Sequence, residues 1–262
     1  MSTLTLAALQ CDIYWLDKRA NLRRLEQIIA EQLPKKNRVD LLLLPETFAT
    51  GFCIDSEEAE EGEDGGTVLV WLKKMASQYN CVVAGSVLVS QEQKKVNRFY
   101  WVFADGSVEY YDKRRLFRLG NEQEHVAQGQ DRKIISINGI KILPLVCYDL
   151  RFPVWSRNRQ DYDLMVNVAN WPAPRRHVWD TLLKARAMEN QCYVVGVNRV
   201  GNDGRETPHS GGTAIIDFSG QSIVSAPDNR QQVVTATLDF SELDEFKRAF
   251  PAYLDADEFE LH

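Results

Sequence analysis

The sequence holds no Cys-x-x-Cys pair and no histidine beside a cysteine at metal-ligand spacing. Its five cysteines (Cys11, Cys53, Cys81, Cys147 and Cys192) are far apart and odd in number. That pattern argues against a disulfide framework and a zinc site and fits reduced thiols in the cytoplasm. No stretch approaches the roughly 18 uncharged apolar residues of a membrane span, so no membrane partner is expected. The first ten residues carry no basic region ahead of their apolar ones and read as a first strand, not a signal peptide. The 31 basic residues are outnumbered by 37 acids, for a net charge of −6, which argues against a nucleic-acid surface. No repeat, low-complexity segment or linker divides the 262 residues. Residues 1–262 therefore read as one domain, with 250–262 an acidic, aromatic C-terminal tail.

What is present is an alternation of apolar strands and amphipathic helices with hairpins mixed in. Leu4 to Gln10 reads as a strand, and apolar residues at 22, 25, 28, 29 and 33 give Lys18 to Leu33 the period of a helix, stopped by Pro34. Asp40 to Glu46 is a four-leucine strand ending in a carboxylate, apolar on both faces as in a covered sheet. The acids and glycines of 55–66 read as a solvated surface segment. A helix over 68–79, strands over 81–89, 96–103 and 108–112, and a long ordered loop over 114–129 follow. Asn138-Gly139 joins two strands, 133–137 and 140–146, as a two-residue hairpin. A short helix over 152–159, a strand over 163–169, a helix over 179–190 and a strand over 192–198 come next. A glycine-rich loop spans 201–212, strands at 213–218 and 233–238 finish the sheet, and 241–249 is a last helix. The pattern predicts an α/β fold with mixed sheets, two of them packed between helix layers.

Three strands end in chemistry. Glu46, Lys113 and Cys147 each follow a strand at its carboxyl end, where α/β folds gather ligands. Cys147 should sit where a buried strand gives way to a helix, with Asp149 of N-cap type and Pro153 in the first turn. Such a helix start, and a nearby lysine, would lower the thiol's pKa. Taken alone the cysteine reads more readily as a small apolar residue in the core, since free cysteine is among the most buried residue types. A cysteine nucleophile needs a proton acceptor, and no histidine is well placed: His125 lies in the long loop, His177 and His209 beyond the cysteine in helix and loop. A carboxylate beside leucines can have a raised pKa, which suits a base that later acts as an acid.

Leu-Leu-Leu-Leu-Pro-Glu46, Tyr-Asp-Lys113-Arg-Arg-Leu-Phe and Val-Cys147-Tyr-Asp-Leu-Arg-Phe-Pro resemble the three signature segments of the nitrilase superfamily of carbon–nitrogen hydrolases. Ala185-Arg-Ala-Met-Glu-Asn-Gln-Cys-Tyr193 is similar too, and the resemblance runs over roughly residues 4–240, nearest the ω-amidase branch. It implies a four-layer α-β-β-α sandwich that associates as a homodimer across a helix layer. It implies Glu46 as general base, Lys113 as oxyanion stabiliser and Cys147 as nucleophile, with a second glutamate in the loop: Glu122 by its distance from Gly129, or Glu124. Arg115 stands where many relatives carry histidine, outside that catalytic set.

The expected activity is a metal-free, cofactor-free amidase that acts on a small-molecule amide, 2-oxoglutaramate or 2-oxosuccinamate, through a thioester. A backbone N–H near Tyr148 would help hold the oxyanion. The substrate's carboxylate needs a cation, for which Arg175 and Arg176 are candidates, and Asn170 and Trp171 could line the same pocket. Arg151 reads as half of a structural ion pair. The competing readings are a hydrolase of another amide, nitrile or carbamoyl compound, and a non-catalytic binding scaffold on the same fold.

Overall fold

The structure is a computed structural model that describes residues 3–33, 38–92 and 94–260. Pro34, assigned as the stop of the first helix, lies outside the described residues. In chain order the strands are β1 (Thr3–Gln10), β2 (Leu41–Leu43), β3 (Glu60–Glu61), β4 (Val82–Gln91), β5 (Lys94–Val102), β6 (Val108–Asp112), β7 (Ile135–Ile137), β8 (Ile140–Val146), β9 (Leu164–Ala169), β10 (Tyr193–Asn198), β11 (Val200–Asn202), β12 (Pro208–Ser210), β13 (Ala214–Ile216), β14 (Ser222–Ser225) and β15 (Gln232–Asp239). The helices are α1 (Lys18–Gln32), α2 (Gly66–Tyr79), α3 (Glu122–His125), α4 (Pro153–Ser156), α5 (Arg176–Asn190) and α6 (Phe240–Ala249).

One sheet has the order β15-β1-β2-β4-β5-β6, with β3 on β4; the second runs β14-β13-β10-β9-β8-β7. Both are mixed. β1, β2 and β4 are parallel, as are β8, β9 and β10, and antiparallel strands flank each trio. The two-residue period explains the layering. In β1, Leu4, Leu6 and Ala8 join the core shared with the second sheet, while Ala7 and Leu9 join the core under α1 and α2. Leu41 and Leu43 of β2 face the second sheet, and Leu42 and Leu44 face the helices. The four leucines are thus buried on both faces, as their unbroken run implied. On the far side α5 lies close on the second sheet: a Cβ on Gly196 would sit 2.4 Å from Leu183 Cδ1 and 2.7 Å from Trp179 Cζ2. The result is an α-β-β-α sandwich of mixed sheets.

Local chemistry accounts for several boundaries. Asp17 caps α1 by accepting from Ala20 N at 2.9 Å. Asn138 and Gly139 have φ of +52° and +83°, the two left-handed residues that a type I′ hairpin requires.

Four expectations are corrected. The acidic 55–66 segment is only partly solvated: Glu61 is buried, pairs with Lys18 and accepts from Val68 N at the start of α2. Asp149 caps no α-helix, because a five-residue 3-10 turn (Cys147–Arg151) follows β8, and α4 spans only Pro153–Ser156 of the expected 152–159 helix. The glycine-rich 201–212 loop contains the β11–β12 hairpin. The two strands expected to finish one sheet part company: β13 lies in the second sheet, while β15 returns to the first and pairs along all of β1.

Candidate active site

Parallel strands that all point one way bring their carboxyl ends to one edge. β2 leads into Glu46, β8 into Cys147 and β9 into Asn170, and β6 ends at Asp112 with Lys113 next. Glu46 comes from one sheet and Cys147 from the other, so the site lies between them. Antiparallel β5 adds Asn97 near its start.

The floor is a buried charge cluster. Lys113 Nζ lies 3.1 Å from Glu46 Oε1 and 2.9 and 3.0 Å from the two Glu122 oxygens, all three side chains at 0 % exposure. Glu46 accepts from Asn97 Nδ2 at 2.9 Å and from Asn170 N at 2.8 Å. Asn170 Nδ2 donates to the Glu46 carbonyl at 2.7 Å and to Thr47 Oγ1 at 3.0 Å. Glu122 accepts from Phe117 N at 2.6 Å, so both its oxygens are engaged. Burial pulls the Lys113 pKa down, but Glu122 and Glu46 outweigh it and the ammonium is held above its ordinary range. Burial pushes Glu122 up from the carboxylate range, Lys113 pulls it back, and Glu46 adds to the rise. The lysine therefore stays charged, and Glu122 is more readily protonated than an ordinary carboxylate.

Cys147 is the one cysteine of five that is not buried. Its φ of +49° is a left-handed conformation that costs a non-glycine residue about 1 kcal/mol. Asn167 holds the turn by accepting from Cys147 N at 3.0 Å. Tyr148, second in the 3-10 turn, presents an N–H that the turn leaves without a partner. Asp149 ties two functional segments together: it accepts from Val146 N (3.0 Å), Arg115 N (2.7 Å) and Tyr111 Oη (2.9 Å). The expected low thiol pKa is overturned. Burial, then the negative charge of Glu46, raise the Cys147 thiol well above its ordinary value, and Lys113 offsets them only in part. At rest the group is a thiol beside a glutamate.

Above the floor opens a cleft of about 150 Å³ lined by Glu46, Lys113, Cys147, Trp171, Arg151 and Arg175 among others. Tyr148 and Asn170 line it too, so the structure gathers all eight sequence-derived site residues except Glu122, which stands directly behind Lys113. Glu124 is exposed, and Arg176 turns away to Asp180 and Asp228. Arg151 makes no ion pair among the described residues. It lies over the Trp171 ring at 5.2 Å and the Tyr148 ring at 6.0 Å, in the cleft. Sequence reasoning passed over Asn97, Asn167 and His209. The signal for Asn167 was a lone polar residue inside an apolar strand. His209 lines the cleft, and burial followed by the nearby Arg199 charge lowers its pKa to about 4, so it is neutral near pH 7.

The floor offers a nucleophile, a base, a fixed cation and a free N–H, the parts of an acyl-transfer site. Residues 5–248 match the carbon–nitrogen hydrolase family model. The chain is 44% identical to the ω-amidase YafV of Escherichia coli K12, over 100% of both chains. It is 31% identical to the 2-oxoglutaramate amidase of Bacillus subtilis 168, over 96% of each. The crystal structure of XC1258 from Xanthomonas campestris, a CN-hydrolase superfamily protein with an arsenic adduct in its active site, superposes with a TM-score of 0.93 at 41% identity and full coverage of both chains.

Proposed function

Since the chain belongs to the carbon–nitrogen hydrolase family, we propose that it is an ω-amidase, which hydrolyses the terminal amide of 2-oxoglutaramate or 2-oxosuccinamate to a 2-oxo acid and ammonia. The observation that carries this reading is the Glu46–Lys113–Glu122 cluster set beneath the half-buried Cys147 thiol, the other four cysteines being buried. The two relatives named for these activities support the substrate class.

The geometry supports the following steps. Because the resting thiol is neutral, its proton leaves only as the bond to substrate forms. Glu46 takes that proton, and the sulfur attacks the amide carbon. The oxyanion is held by Lys113 Nζ and the Tyr148 N–H. The intermediate collapses with the Glu46 proton passing to the departing nitrogen, which leaves as ammonia, and a Cys147 thioester remains. Glu46 then takes a proton from water, whose oxygen attacks the thioester. Cys147 is expelled and regains its proton, and the 2-oxo acid departs. Glu122 fixes Lys113 by two hydrogen bonds and is a positioning residue in this scheme. Asn170 and Asn97 orient the base. Trp171 walls the cleft, and its Nε1 holds the Arg175 carbonyl at 2.8 Å. The Arg175 guanidinium lies 5.3 Å above the Phe117 ring and supplies the cation for the substrate carboxylate.

The enzyme acts without metal or cofactor, as one domain over 1–262. The five free thiols fit a cytoplasmic setting. Met188 and Phe250, exposed on α5 and just after α6, support a homodimer across that helix layer, which light scattering would test. The function is tested by ammonia release from 2-oxoglutaramate beside glutamine and a simple aliphatic nitrile. Release from the 2-oxo amide alone supports the reading, and release from the nitrile alone rejects it.

A further inference from the structure

The cleft holds more positive charge than one substrate carboxylate requires. Of the three arginines that line it, Arg205 is spoken for, pairing with Asp55 at 2.7 Å. Arg175 and Arg151 line the cleft, and among the described residues neither has a carboxylate within 4.0 Å. Both are held against aromatic faces that touch one another. Arg151 lies over Trp171 and Tyr148, Arg175 over Phe117, and the Phe117 and Tyr148 rings meet edge to face at 5.3 Å. The wall that presents these two guanidiniums begins at Tyr148, next to the nucleophile. Packing on the rings restrains each guanidinium, and among the described residues neither donates a hydrogen bond, which leaves its N–H groups for a ligand.

The anions in the cleft do not balance this charge. Glu46 is committed to Lys113, Asn97 and Asn170. Asp203 closes its own turn by accepting from Arg205 N and Thr207 N at 2.9 Å. A 2-oxo acid head offers three acceptor oxygens in a plane and no cation. A 2-amino acid head, as in glutamine, brings an ammonium that would meet two unpaired guanidiniums, against which the lining sets only the second oxygen of Asp203.

We propose that Arg151 is a specificity-determining residue that forms, with Arg175, a two-guanidinium clamp for the 2-oxo acid head of the substrate and so selects against 2-ammonium amides. The assignment rests on the ω-amidase reading for the nature of the head, while the clamp for an anion stands on the geometry. Loss of one charged hydrogen-bonding partner of an anion corresponds to about 10- to 100-fold in binding.

The test uses the wild type, Arg151→Met and Arg151→Lys. Values of kcat/KM are measured for 2-oxoglutaramate, glutamine and pentanamide, a neutral amide of the same chain length. In parallel, the rates at which iodoacetate and iodoacetamide alkylate Cys147 are read by peptide mass spectrometry. Arg151→Met should lower the 2-oxoglutaramate-to-pentanamide ratio about 10- to 100-fold, narrow the gap to glutamine, and lower the iodoacetate-to-iodoacetamide ratio. Arg151→Lys should restore part of each ratio, because it returns the charge without the fork. Ratios that stay constant in Arg151→Met, whether both rates fall together or neither does, overturn the proposal, since a merely structural arginine moves both. A wild type that releases no ammonia from 2-oxoglutaramate overturns the ω-amidase reading and the 2-oxo assignment with it. A fall in the alkylation ratio from that wild type to Arg151→Met would still support the anion clamp, so the two failures are told apart.

Discussion

Replacing Lys113 by methionine removes the one cation among the described residues that contacts both Glu46 and Glu122, at 2.9 to 3.1 Å, and fills its space with a side chain of similar length. Two negative charges cannot remain there unpaired, so one glutamate takes up a proton. Glu122 is the one already raised by burial from a starting value of 4.5. Holding a group of that unfolded pKa protonated at pH 7 costs about 1.36 kcal/mol per unit over 2.5 units, or about 3.4 kcal/mol. At pH 5 the same term is about 0.7 kcal/mol. The sign follows from proton binding. In the variant the folded-state pKa lies above the unfolded one, so the folded state binds the extra proton. Stability from that proton is complete below pH 4.5 and is lost as pH rises. Urea unfolding should therefore show a loss relative to wild type of about 3 to 4 kcal/mol at pH 7, the range typical of a broken buried pair, shrinking to about 1 kcal/mol at pH 5. The activity, deprived of an oxyanion donor, should fall at least about 100-fold. A loss that is equal at the two pH values, or below about 1 kcal/mol at pH 7, would refute the reasoning that Lys113 neutralises the cluster.

Other perturbations follow from single contacts. Tyr111→Phe removes a buried hydroxyl that donates to Asp149 and accepts from Trp155 Nε1 and Arg114 N. Stranding those donors should cost about 1 to 3 kcal/mol in urea unfolding, and an unchanged midpoint would remove Tyr111 from the network. Gly129→Ala would place a Cβ 2.0 Å from the Asp112 carbonyl, one residue before Lys113, so it should lower kcat/KM by shifting the lysine, whereas wild-type kinetics would mean that the loop absorbs the clash. Iodoacetamide should modify Cys147 first, because Cys11, Cys53, Cys81 and Cys192 are buried, whereas Cys147 is half-buried and lines the cleft beside Glu46. Peptide mapping that finds another cysteine modified first would contradict the site's exposure.

Much of the fold was legible because one physical signal, apolar periodicity, matched burial closely. Helix α1 lies where its 3.6-residue period set it, and the Asn138-Gly139 turn could be read because few residue pairs accept two positive φ angles. What stayed hidden depends on long-range pairing. Nothing local in residues 232–239 tells that strand to cross back to β1, more than 220 residues away, and nothing in 201–212 announces a hairpin. The positions of Glu46, Lys113 and Cys147 were legible as strand ends. The thiol's pKa was not, because it is set by burial and by a carboxylate 101 residues earlier in the chain, and these outweigh the local turn. Arg151 was misread for a similar reason: a charge beside a buried turn suggests an ion pair, and only the packed aromatic rings show that it has none.

The account stands on Cys147 as the nucleophile of a Glu46-assisted amide hydrolysis. The most direct test compares ammonia release from 2-oxoglutaramate by the wild type and by Cys147→Ala in one assay, with both proteins shown to unfold cooperatively. The account predicts steady release by the wild type and a rate at least about 1,000-fold lower in the variant, as for loss of a nucleophile. Turnover that survives in Cys147→Ala within about tenfold of wild type would contradict it.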